Sequence, residues 1–318
     1  MYLSIIIPLY NCGQYIERCL DSIFSSCIDQ HLYDVIVVND GSTDNSLEIC
    51  NKYLLEYSNL IILSQPNKGT SCARNYGLSV ASGRYIWFVD ADDSIVTEFF
   101  PILMNLLSKG GFDLFCFNHF RILGERKDTY KDYGENKIID GVDFFRNKPS
   151  GFLWNKVYKK KSIEGLSFLE GTKNIEDLYF NSQSIIHFKK ILCLTDFGYC
   201  YHQDNQSSTS RSKSHRNLIK LDQDSMRIHL KMKSDILKLD SVEKKKVIID
   251  LLNLSIAGHL FSLFRFRFYS YKTLYKRIMD YKNNKLYPVE RTSNLKANIF
   301  LLLANKDNVF INIKRLIK

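Results

Sequence analysis

The tightest constraint on the fold lies in the N-terminal part of the chain, where strand-like runs alternate with helical patterns. Ser4–Pro8, Asp34–Asn39, Leu60–Leu63 and Arg84–Val89 are short apolar runs rich in Ile and Val, as expected of strands buried on both faces. Between the first two, Ile16, Cys19, Leu20, Ile23, Phe24 and Cys27 recur at helical spacing. Leu47, Cys50, Leu54 and Tyr57 do so between the next two. A third helix is predicted over Ser71–Ala81, with Gly83 as its C-cap. This β-α-β-α-β-α-β order implies an α/β architecture, a mostly parallel sheet with helices on both faces.

Three polar clusters follow strands in this pattern: Tyr10-Asn11, Asn39–Asp44 and Asp90–Asp93. Open α/β sheets bind ligands at the carboxyl ends of their strands, so a shared crevice explains the coincidence better than three unrelated turns. The sharpest cluster is Asp90-Ala91-Asp92-Asp93, three carboxylates directly after a buried strand. Carboxylate oxygens are hard ligands suited to Mg²⁺ or Mn²⁺ carrying a diphosphate. An acidic turn capping the next helix is the plainer alternative. No Gly-x-Gly-x-x-Gly follows the first strand and no P-loop signature occurs, which disfavours a dinucleotide dehydrogenase or a P-loop enzyme.

Composition adds two limits. At 318 residues, 45% hydrophobic and 25% charged, the chain is an ordinary globular protein. Its eight cysteines are scattered without a Cys-x-x-Cys, so neither a zinc site nor a redox motif is expected, and a reducing cytoplasmic compartment is. Leu3–Leu9 is too short for a secretory signal and lacks a basic flank. Charge divides the chain: residues 1–210 carry 20 Lys and Arg against 25 Asp and Glu, whereas residues 211–318 carry 24 against 9.

Four segments now stand in order: Ser4-Ile-Ile-Ile-Pro-Leu-Tyr-Asn11, Val37-Val-Asn-Asp-Gly-Ser-Thr-Asp44, Asn67-Lys-Gly with Ala73-Arg-Asn-Tyr-Gly77, and Phe88-Val-Asp-Ala-Asp-Asp93. Over roughly residues 1–210 the chain resembles the family 2 glycosyltransferases of GT-A (Rossmann-like) fold. The resemblance implies a nucleotide-sugar half at 1–118, an acceptor half at 119–210, and a UDP-sugar donor. On its pattern Pro8 and Tyr10 line the base pocket and Asp40 accepts from the uracil imide. Asn67 and Arg74 contact nucleotide or diphosphate. Asp92 is the direct metal ligand for Mn²⁺ or Mg²⁺, with Asp90 on ribose or in the metal's water shell. Asp93 is either a helper behind the site or, preferably, the cap of a helix starting near Thr97.

The same resemblance makes Asp177 the general base and Glu176 an acceptor binder or orienter, at the head of an apolar helix reaching about Phe188. A carboxylate pair in a first helical turn is also favoured by the helix dipole alone. Trp154 stacks on a sugar or sits in the core, and His202 is either a metal ligand, as in some relatives, or structural. The Ser-rich loop from Asn205 to Arg211 suits a lid. A base on the far side of the sugar from UDP implies inversion. The processive members' Gln-x-x-Arg-Trp is absent, since the tryptophans are Trp87 and Trp154, so single-sugar transfer is expected.

Residues 211–318 read as a basic helical C-terminal appendage. Val247–Phe264 is apolar but holds Asp250, Asn253, Ser255 and His259, which disfavours a membrane span. Aromatic and basic residues mix at Phe261–Lys272, and Ile299–Lys318 pairs apolar residues with Lys and Arg. That composition suits an anionic membrane surface, or helices packed on the catalytic domain with a solvated basic face, and no nucleic-acid module accompanies it. The expectation is a cytoplasmic enzyme, peripheral at the inner face of a bacterial membrane. Its acceptor would be a polyprenyl-diphosphate-linked sugar or polysaccharide, in O-antigen or capsule synthesis. A non-catalytic nucleotide-sugar-binding scaffold and a nucleotidyltransferase are the rivals. Nothing in the sequence selects the sugar, the linkage or the oligomeric state.

Overall fold

The computed structural model describes residues 1–147, 150–205, 214–265 and 269–316. It divides into two compact units, Met1–Ser212 and Lys213–Lys318. The boundary expected at 210/211 lies outside the described residues.

The first unit opens with β1 (Leu3–Leu9), α1 (Ile16–Phe24), β2 (Tyr33–Asn39), α2 (Ser46–Tyr53), β3 (Leu60–Ser64), α3 (Thr70–Val80) and β4 (Tyr85–Phe88). It continues through β5 (Ser94–Ile95), α4 (Phe99–Lys109), β6 (Leu114–Leu123), β7 (Arg126–Tyr130), β8 (Lys137–Ile139) and α5 (Gly141–Arg146). It closes with β9 (Lys156–Lys159), α6 (Glu176–Ser184) and β10 (Ile191–His202). The sheet order is β3-β2-β1-β4-β9-β6-β10-β5. β3, β2, β1 and β4 are parallel. β9 runs antiparallel to β4 and β6, and β10 is parallel to β6.

Successive strand residues point to opposite faces, and β1 feeds two cores. Ile5 and Ile7 pack with Cys19, Leu20 and Ile23 of α1 and Leu103 of α4. Ile6 packs on the other face with Ala73 of α3 and Phe180 of α6. Helices on both faces are what make these strands continuous apolar runs.

Three expectations change. Gly83 is not the C-cap of α3, which Ala81 occupies. A Cβ at Gly83 would stand 2.4 Å from Leu3 C and Ser4 N, so close backbone approach demands the glycine. The helix expected from Thr97 starts at Phe99 after Glu98. The polar segment 121–139 contributes β7 and β8, paired to β6 and β10. The divide expected at 118/119 falls inside β6.

The second unit comprises α7 (His215–Ile236), α8 (Val242–Arg265), α9 (Tyr271–Asn283), α10 (Leu295–Ala304) and α11 (Asp307–Leu316). Ser214, Ser270 and Asn294 cap α7, α9 and α10 with their side-chain oxygens, satisfying N–H groups that a helix start leaves open. α8 is long and apolar enough to cross a membrane, yet it buries Ile248, Leu252, Ile256, Ala257, Leu260 and Leu263 inside the unit.

That core holds a polar chain. His259 Nε2 lies 3.0 Å from Asp222 Oδ1, and its Nδ1 lies 2.6 Å from Tyr281 Oη. His229 Nδ1 meets the same hydroxyl at 2.8 Å, and its Nε2 meets Ser255 Oγ at 2.8 Å. Burial works to raise the Asp222 carboxyl, but bonds from His259 and Arg277 hold it down at about 2. Asp222 therefore only accepts. Burial keeps both histidines neutral, their pKa values below the ordinary range. One direction of donation follows: His259 donates to Asp222, Tyr281 to His259, His229 to Tyr281, and Ser255 to His229.

Candidate active site

The loops after β1 and β2 are stitched together. Asn11, held at φ 49°, accepts from Thr43 N at 2.8 Å, and its own N donates to Ser42 Oγ at 3.1 Å. Gly13 N donates to Asp44 Oδ2 at 2.9 Å. Beside this seam Tyr10 is exposed and Pro8 is half-buried, consistent in position with one wall of a base pocket.

Asp40 is the hub of the next loop. Its Oδ1 accepts from Gln65 Nε2 at 2.7 Å and Lys68 N at 2.8 Å, and its Oδ2 accepts from Gly69 N at 2.8 Å. Asp40, which the resemblance places on the uracil imide, is buried here and anchors the turn carrying exposed Asn67. Gln65 is its one side-chain partner in this set.

After β4 the three carboxylates take different roles. Asp93 is fully buried and accepts from Tyr199 Oη and His202 N, each at 2.8 Å. Burial, reinforced by Asp92 and Asp90, lifts its pKa well above the carboxylate range. It ties β10 to this loop and caps no helix. Asp92 is half-buried, its Oδ2 accepting from Asn205 Nδ2 at 2.9 Å. Arg18 braces the same loop, donating to Asp92 O at 2.6 Å and Asp204 Oδ2 at 2.7 Å.

Asp90 leads to the most consequential contact. Arg74 of α3, buried to 5% side-chain exposure, donates through Nη2 to Asp90 Oδ1 at 3.0 Å. Its Nη1 reaches Glu176 Oε1 at 3.0 Å and Asp177 Oδ1 at 3.2 Å. Arg74, which the resemblance places on nucleotide or diphosphate, is here a buried clamp joining three carboxylates. One guanidinium cannot neutralise three. Burial pushes the Asp177 carboxyl up; Arg74 opposes that while Glu176 and Asp90 add to it, leaving it at about 7. A general base works best with a pKa near the working pH.

Backbone strain adjoins this pair. Ile175, the N-cap of α6, sits at φ 52°, ψ 17°, a left-handed conformation costly for a β-branched residue. Glu176 and Asp177 thereby open α6 directly, within the field of its positive end.

The two readings of Trp154 resolve as core, and nearby Lys156 is buried as well. Trp154 is buried, stacked between Phe152 at 4.5 Å and Tyr199 at 4.6 Å, so its ring face is not offered to a sugar. Lys156 is fully buried and donates to Ser150 O, Phe152 O and Asn155 Oδ1 at 2.6–2.9 Å. His202 Nε2 pairs with Ser94 Oγ at 2.9 Å. Burial, then the Arg18 charge, lowers its pKa to about 4. Among the described residues no group of three or more His, Cys, Asp and Glu is placed to hold a metal ion. Of the expected lid, 206–211 lie outside the described residues. Arg18, Gln65 and Asn205 had no sequence signal, because each works through a partner distant in the chain.

The family model for glycosyl transferase family 2 matches residues 4–166, more than half of the chain. The chain belongs to that family. Its first unit is an α/β sheet with flanking helices, and its C-terminal region is helical. It is 30% identical over 226 residues to the uncharacterized glycosyltransferase YibD of Escherichia coli (strain K12), covering 67% of this chain and 64% of the relative. It is 33% identical over 219 residues to glycosyltransferase GlyA of Streptococcus pneumoniae, covering 63% of this chain and 30% of the relative. The chain thus spans less than two thirds of these relatives' lengths. In structure it resembles Staphylococcus aureus TarS 1–349 in complex with UDP-GlcNAc, with TM-score 0.74, 20% identity and coverage of 99% and 88% of the two chains.

Proposed function

We propose that this family member is an inverting, non-processive transferase that moves a hexose or N-acetylhexosamine from a UDP-sugar to a glycan acceptor. The observation that carries the proposal is the Arg74 clamp. It fixes Asp177, a carboxylate at about 7, to Asp90 at the sheet's carboxyl edge. Asp177 takes the acceptor hydroxyl's proton as that oxygen bonds to the sugar's anomeric carbon. The anomeric carbon's bond to the diphosphate breaks on the opposite face, UDP leaves, and configuration inverts. Glu176 shares Arg74 and holds Asp177 in place.

TarS, solved with UDP-GlcNAc, supports a UDP-sugar donor. A Bacillus spizizenii poly(ribitol-phosphate) beta-glucosyltransferase, 30% identical over 206 residues and covering 63% of this chain and 32% of that one, supports a polymeric or lipid-linked acceptor of a cell-surface glycan. A divalent cation also fits. Mg²⁺ is commonly bound by one or two carboxylates plus substrate phosphates, and Asp92 with Asp90 offers that donor set without a third protein ligand. A Pyrobaculum calidifontis mannosyltransferase of TM-score 0.56 and 15% identity was solved with GDP-Man and Mn²⁺. When bound, Mn²⁺ or Mg²⁺ would supply positive charge to the departing diphosphate.

UDP release from a panel of UDP-sugars, with Mn²⁺ and with EDTA, in the presence of a lipid-diphosphate-sugar acceptor, tests this. Metal-dependent release from one donor is the expected result. UDP binding without release from any donor, across acceptors, would favour the scaffold alternative.

A further inference from the structure

We infer that the exposed face of α10 in the second unit rests on an anionic lipid bilayer. This inference is independent of the sugar-transfer proposal. On this ten-residue helix Leu295, Ile299 and Leu302 are 75%, 60% and 62% exposed, while Leu301 and Ala304 are buried. At 100° per residue the three exposed side chains fall within about 60° of arc, so they form one narrow apolar strip. Phe261 of α8, 44% exposed, packs on the neighbouring flank of α10, its ring 5.4 Å from that of Phe300.

The charges within the strip's own segment, 291–306, have one sign, with Asp250 of α8 meeting its start at Ser293 N, Glu290 before it and Asp307 after it. Lys296 and Lys306 lie on the same segment, Arg265 follows Phe261 by one turn, and all three are exposed. From Arg291 to Lys306 there is no Asp or Glu. This choice of partner rests on charge. A second copy would bring its own excess of 24 Lys and Arg over 9 Asp and Glu in residues 211–318, so like charges would meet. A bilayer bearing anionic headgroups supplies the opposite sign and accepts Leu, Ile and Phe side chains just below its surface.

The helix lies on the membrane and does not cross it. Ten residues reach about 15 Å, half of a hydrocarbon core of about 30 Å. The longer α8 uses its apolar side chains inside the unit. Neither a short apolar strip nor a few lysines holds a protein to lipid alone, but the two signals together do.

The test is co-sedimentation of the purified full chain with phosphatidylcholine vesicles and with vesicles containing a third phosphatidylglycerol. Two variants accompany it: Leu295→Gln/Ile299→Gln/Leu302→Gln, and Lys296→Gln/Lys306→Gln. All five residues are exposed, so folding is retained, and circular dichroism checks it. Binding is expected to the anionic vesicles only, at least about tenfold weaker for the triple variant and about fivefold weaker per lost lysine. Equal binding to neutral vesicles, or wild-type binding by the triple variant, would overturn the inference. So would a dimer that binds no vesicles and that the triple variant dissolves.

Discussion

Replacing Arg74 with Met keeps the bulk of the side chain and deletes the charge that three carboxylates share. Breaking a buried ion pair from one side costs about 3–5 kcal/mol, against typical domain stabilities of about 5–15 kcal/mol. The variant should therefore fold, with reduced stability. The sharper effect falls on Asp177, whose carboxyl stands at about 7 with Arg74 opposing burial. An opposite charge at 3.2 Å lowers a carboxyl by about one to three pH units, so without it the base titrates at about 8 to 10. At pH 7 its ionised fraction then drops from about a half to between about a tenth and a thousandth, and the rate falls about 5- to 500-fold. The assay is kcat against pH from about 5.5 to 10, at saturating donor and acceptor. Lost protein lowers the plateau but cannot move the acidic limb along the pH axis, so the two effects separate. An acidic limb at the wild-type pH in the Arg74→Met enzyme would refute the clamp as the tuner of the base.

Other outcomes follow from the same geometry. Asp177→Asn should keep UDP-sugar affinity, measured by titration calorimetry, and lose about 10²–10⁴ in transfer. Asp92→Ala should abolish the difference between Mn²⁺ and EDTA in UDP release. Gly83→Ala drives a Cβ to 2.4 Å from two backbone atoms of β1 and should cost about 1–3 kcal/mol in chemical denaturation. In the second unit, His229 and His259 are held neutral below their ordinary pKa. Their contribution is complete above about pH 6.5 and is lost as pH falls, at up to about 1.4 kcal/mol per pH unit for each. The thermal midpoint should drop between about pH 6.5 and 5, and His229→Gln should flatten that slope.

The sequence made the parallel half of the sheet legible because β1, β2 and β4 are buried on both faces and so read as unbroken apolar runs. β9 escaped notice because it begins with a lysine, and a lysine reads as surface. Lys156 is buried because three neutral oxygens lie where its ammonium ends, and only the folded loop assembles them. The carboxylates at 90, 92 and 93 look alike in sequence. Their division into clamp, open edge and buried anchor is decided by α3 and β10 crossing behind them. Arg74 illustrates the limit best: two of its partners lie 102 and 103 residues away. Local pattern finds such a residue but not the company it keeps.

Ile175 has a kinetic meaning. A β-branched residue held left-handed stores on the order of 1–3 kcal/mol, released whenever the backbone ahead of α6 flips to an ordinary conformation. That flip would carry Glu176 and Asp177 away from Arg74, so the assembled site and a slackened one differ by the clamp's grip minus the stored strain. The Glu176–Asp177 pair sits on a cocked spring. Its readiness is a population, and whatever tightens the clamp raises the fraction of molecules ready to react.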